Sequence, residues 1–82
     1  MEINKNLVIT NENGDYVIFN KETDKFYSLN QTTAFIWELI SKNINEKEIV
    51  EKIENEYEID KHTVEADLKN ILQELKNEKI LL

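Results

Sequence analysis

The order of apolar and polar positions divides the chain into two parts with different periods. Leu7-Val8-Ile9-Thr10 is a short β-branched run, closed by the polar stretch Asn11-Glu12-Asn13-Gly14-Asp15. That stretch holds the single glycine of the chain, the residue favoured where a turn needs positive φ. Tyr16-Val17-Ile18-Phe19 is a second apolar run, Asn20 to Asp24 is polar, and Lys25-Phe26-Tyr27-Ser28-Leu29 is a third. Such runs between turn residues read as strands, at about 6–10, 15–20 and 25–29. Connections this short make neighbouring strands antiparallel, so the first third is expected to be a three-stranded meander.

From Asn30 onward the spacing becomes helical. Phe35, Ile36, Leu39 and Ile40 form one stripe, and Ile49, Val50, Ile53 and Tyr57 a second. Val64, Leu68, Ile71, Leu72 and Leu75 form a third, the most regular of all. Asn30, Asn45 and Asp60 stand where N-caps are needed, and Asn45-Glu46-Lys47-Glu48 has the form of a capping box. These signals predict helices over about 31–42, 46–57 and 61–77. The apolar tail Ile80-Leu81-Leu82 is expected to fold back on the body. The expected class is α+β and winged-helix-like: a three-stranded antiparallel sheet followed by three helices packed on one face. Such a meander keeps an outer strand with unpaired main-chain groups.

Composition removes several functions. Eighty-two residues allow one domain, 1–82, and leave little depth for a water-excluding catalytic pocket. Without cysteine there are no disulfides, no thiolate chemistry and no cysteine zinc site. His62 has no second histidine with which to share a metal. Glu54, Glu56, Glu58 and Asp60 lack the glycine turn and terminal glutamate of a calcium loop. No nucleophile–base pair or phosphate-cradling loop can be assembled, so neither catalysis nor a cofactor is expected. A net charge of -7 and the absence of arginine argue against a nucleic-acid partner. No apolar run approaches the ~20 residues of a membrane span, and the N-terminus lacks a signal-peptide pattern. A cytoplasmic monomer is the expectation.

The segment Lys25-Phe26-Tyr27-Ser28-Leu29-Asn30, running on through Ala34-Phe35-Ile36-Trp37-Glu38-Leu39-Ile40, resembles the PqqD-like family. An aromatic pair, then Leu-Asn, then a helix bearing Ile-Trp joins the third strand to the first helix there. Glu46 to Tyr57 is similar to the family's acidic second helix, and Asp60 to Leu75 to its third. Asn77-Glu78-Lys79 departs from the pattern, standing where a glycine is often found. The resemblance implies a recognition element for ribosomally made, post-translationally modified peptides. Such a domain holds the leader of a precursor peptide, antiparallel to the third strand, for a maturation enzyme such as a radical-SAM enzyme or a leader peptidase. Carried over, Lys25, Phe26, Tyr27, Ser28 and Leu29 would pair with the leader. Asp67, Leu68, Asn70, Ile71, Glu74 and Leu75 would form the facing helix wall. Tyr27 and Leu29 are the inward pair on this reading. Asp67 and Glu74 would favour a leader carrying lysine or arginine.

Plainer readings stand beside these. Trp37, next to Ile36 and Ile40, reads as core, as does the Val64–Leu75 stripe itself. Asp67 and Glu74 suit solvated helix positions, and Lys25 suits an edge residue that discourages unwanted pairing. Two other functions stay open: a structural or interaction subunit, and a winged-helix transcription regulator. The latter needs a basic recognition helix, whereas here Lys61, Lys69 and Lys76 alternate with Glu65, Asp67 and Glu74.

Overall fold

A computed structural model describes residues 1–82. Three strands, β1 (Leu7–Glu12), β2 (Asp15–Asn20) and β3 (Lys25–Leu29), precede three helices, α1 (Gln31–Ser41), α2 (Glu46–Tyr57) and α3 (Lys61–Asn77). The sheet is antiparallel in the order β1-β2-β3. This is the α+β arrangement expected from the change of period at Asn30. β1 runs to Glu12, beyond the expected end at Thr10, because the turn needs only two residues. Asn13 and Gly14 have φ of 55° and 86°, the mirror-image geometry that matches strand twist in tight hairpins. Open space surrounds the Gly14 Cα, so backbone conformation and not crowding calls for glycine there.

One face of the sheet supports the helices. Ile18 is fully buried at the centre of this face, and Leu29 joins the same core. Ile36, Trp37, Leu39 and Ile40 of α1, Ile49 and Ile53 of α2, and Val64, Leu68, Leu72 and Leu75 of α3 complete it with Ile80 and Leu81. Burying each such side chain contributes roughly 1.5–3 kcal/mol before conformational entropy is charged. Phe35 packs edge-on to Tyr57 with ring centroids 5.7 Å apart, pinning α1 to the end of α2.

Each helix starts at its expected cap. The Asn30, Asn45 and Asp60 side chains accept from the backbone N–H of Thr33, Glu48 and Thr63 at 2.8, 2.9 and 3.1 Å. At the second cap Glu48 reaches back to the Asn45 amide, at 3.4 Å, so the box closes through side chains. The far end of α3 explains the departure at Lys79. The Lys79 N–H donates to Lys76 O and the Ile80 N–H to Leu75 O, at 3.0 and 2.9 Å. Lys79 has φ of 58°. This is a Schellman stop, and Lys79 holds the left-handed position where glycine is most comfortable.

Two buried asparagines tie this end of α3 to the sheet. The Asn20 Nδ2 donates to Glu78 O at 3.1 Å, while its Oδ1 accepts from Glu22 N at 2.9 Å within the β2–β3 turn. The Asn4 Nδ2 donates to Lys79 O at 2.8 Å. Ile3 forms a β-bridge with Leu81, and Leu82 N donates to Glu2 O at 2.9 Å, so the two end segments of the chain are paired. No helix is long and apolar enough to cross a membrane.

Candidate functional site

The phase of the sheet decides which main-chain groups of β3 are free. In a two-residue hairpin the residues flanking the turn, Glu12 and Asp15, exchange both hydrogen bonds, and the bonded pairs then alternate. Asp15, Val17 and Phe19 therefore bond to β1, and the Lys21 N–H to Asn6 O bond of 2.9 Å continues that series. Tyr16, Ile18 and Asn20 must bond the other way, to their register partners Leu29, Tyr27 and Lys25. Phe26 and Ser28 are left with their N–H and C=O groups directed away from the sheet, at the open edge. Two donors and two acceptors are thereby arrayed for a further strand.

Side chains flank this edge on both faces. Phe26 projects from the face remote from the helices and is 72% exposed, with its ring 4.7 Å from that of Phe19. Ser28 lies on the same face and is exposed. Tyr27 and Leu29 point the other way, toward the helices, with Tyr27 half-buried and Leu29 buried. The Tyr27 hydroxyl donates a short hydrogen bond to Glu74 Oε1 of α3. This bond spans from β3 to α3 and identifies the flank of α3 that accompanies the edge. Burial, then the bond to Glu74 and the charges of Glu74 and Glu78, push the Tyr27 hydroxyl well above its ordinary pKa. It remains a proton donor throughout the neutral range.

The helix wall sorts into two sets. Asp67, Asn70 and Glu74 are exposed and Ile71 is half-buried, all on the side of α3 marked by the Tyr27 bond. Leu68 and Leu75 differ from the expected wall: they are 3% and 0% exposed and belong to the core. The resemblance named six positions without regard to phase, whereas a helix that turns 100° per residue sets Leu68 and Leu75 in the buried seam and Asp67, Asn70 and Glu74 on its flank. Leu68 and Leu75 support the wall from behind. Lys25 begins β3, exposed, and lies near Glu78 just beyond the end of α3. No three His, Asp or Glu side chains converge in a way that could hold a metal ion.

Sequence reasoning did not single out Phe19, which supports the exposed Phe26 ring, nor the alternation that frees Phe26 and Ser28. The Asn13-Gly14 pair carried that signal, because the hairpin it forms sets the phase of the whole sheet.

The family profile described as Coenzyme PQQ synthesis protein D (PqqD) matches residues 15–81. The chain belongs to the PqqD family. Among solved structures, this PqqD-family chain is similar to one described as TbiB1 in complex with the TbiA(beta) leader peptide. The two are 31% identical with a TM-score of 0.94, over 99% of this chain and 94% of that one. No curated protein matches it.

Proposed function

We propose that this PqqD-family chain is a non-catalytic recognition domain, formed by residues 1–82, for the leader of a ribosomally made precursor peptide. The leader adds as an antiparallel strand to β3 beside α3 and is presented to a separate maturation enzyme, a radical-SAM enzyme or a leader peptidase. The observation that carries this reading is the open edge of β3 at Phe26 and Ser28, running beside the exposed flank Asp67–Glu74. The likeness to TbiB1, a protein solved with a leader peptide, supports it. Leader residues alternating along such a strand would face α3 over Tyr27 and Ile71, or the opposite face beside Phe26. Main-chain bonds supply affinity and these two faces supply selection. The protein needs no cofactor for this task, and it works as a cytoplasmic monomer.

The test is a titration of the isotopically labelled protein with the leader of the short precursor encoded nearest its gene. Micromolar or tighter binding is expected, with amide shifts concentrated at Phe26, Ser28 and the Asp67–Glu74 flank. Failure to bind any neighbouring leader well above micromolar concentration would overturn the reading.

A further inference from the structure

Helix α3 has a second flank, and its chemistry differs from the first. A helix places Glu65, Lys69 and Lys76 on the side opposite Asp67, Ile71 and Glu74. That opposite side faces α2 across an open groove of about 730 Å³, a volume on the scale of a ligand site. Val50, Leu68 and Leu72 form its apolar floor. Lys47, Lys61, Lys69 and Lys76 stand along its rim. The groove thus collects four of the ten lysines of the chain but only three of its seventeen acidic residues. With Glu46, Glu51 and Glu65 also in the lining, the groove carries a net charge of +1 on a protein whose net charge is -7. The flank toward β3, with Asp67 and Glu74, has the opposite sign.

We propose that the α2–α3 groove docks an acidic amphipathic segment of the enzyme that acts on the captured peptide. The proposal rests on the reading that this chain presents a leader to such an enzyme. Charge complementarity selects the segment: carboxylates meet the lysine rim while an apolar stripe covers Val50 and Leu72. A partner segment of this kind would be repelled by most of the remaining surface, which steers it to this one face. Because the groove and the β3 edge lie on opposite flanks of α3, both can be filled at once. The enzyme would then be held without competing for the leader site.

The test uses the full-length protein and a Lys47→Glu/Lys69→Glu/Lys76→Glu variant, with circular dichroism to check folding. Binding is measured to the leader and to the maturation enzyme encoded beside the precursor. Labelled helical probes with a Glu face and a Leu face, their Lys/Leu counterparts, and short duplex DNA are titrated in parallel. The variant is expected to hold the leader within about twofold and to lose about tenfold or more in enzyme affinity. The Glu/Leu probe should shift the amides of Val50 and Leu72, weaken with salt, and outcompete the Lys/Leu probe. Unchanged enzyme binding by the variant, with leader binding intact, overturns the docking proposal alone. Duplex DNA moving the groove amides in place of the Glu/Leu probe also overturns it. Failure of the unmodified protein to bind leader overturns the underlying function instead.

Discussion

Replacing Ser28 with proline separates the edge of β3 from its interior. The Ser28 N–H points to the open side, so Ser28→Pro removes no bond of the sheet. Proline is tolerated on an edge strand for this reason, and the preceding Tyr27 is already in the extended conformation that proline requires. An added leader would lose the bond from this N–H. It would also meet a ring where the hydrogen had been, leaving one of its carbonyls without a donor. That combination costs about 1–3 kcal/mol, a loss of roughly five- to 150-fold in affinity. Tyr27→Pro is the contrast, since it deletes a donor used inside the sheet and should lower the melting temperature. Calorimetric titration with the leader, beside thermal melts of both variants, reads the two effects separately. The expectation is that Ser28→Pro melts near the parent but binds weakly. Leader affinity unchanged in a folded Ser28→Pro protein would refute strand addition at this position. A Ser28→Pro protein that unfolds while Tyr27→Pro remains stable would refute the assigned phase.

The Lys79→Gly variant should be more stable by about 0.5–1 kcal/mol, because glycine occupies the left-handed stop without Cβ strain; denaturant unfolding measures it. The Asn30→Ala variant should lose about 1 kcal/mol in the same assay by uncapping α1. Tyr27 has a raised folded-state pKa, so its contribution is complete below the ordinary tyrosine pKa and is lost as pH climbs through the raised value. Alkaline melts should therefore fall less steeply above about pH 10 in Tyr27→Phe than in the parent. Asp60 behaves oppositely: its bonds from the Thr63 hydroxyl and backbone lower its pKa, so its contribution is present above the ordinary carboxylate range and is lost as pH falls through the lowered value. Acid melts of Asp60→Asn should show a shallower decline than those of the parent.

Where local chemistry decides structure, the sequence was readable. The caps at Asn30, Asn45 and Asp60 and the change from period 2 to period 3.6 need only neighbouring residues, and they placed the three helices. The end of α3 was less clear, because Lys79 takes a conformation for which its own side chain gives no signal. The surrounding bonds from Asn4 and Asn20 come from far away in sequence. The helix wall shows the same limit. Apolar spacing identifies a stripe, but its edge depends on which neighbour covers each residue, and Leu68 and Leu75 lie inside that edge while Ile71 lies on it. The spacing of α3 sets Lys69 and Lys76 opposite Asp67 and Glu74, but the lysine rim is completed only when Lys47 of α2 is brought alongside.

The pairing of the chain's two ends has a bearing on delivery. Both ends meet at the turn between β2 and β3, beside Lys25, where β3 begins. A leader running antiparallel to β3 would leave the protein at that same corner with its C-terminal end, the end from which the portion to be modified continues. Any catalytic unit joined to either end of this fold would therefore start at the exit of the peptide track. In such a fusion the substrate would emerge toward the active unit.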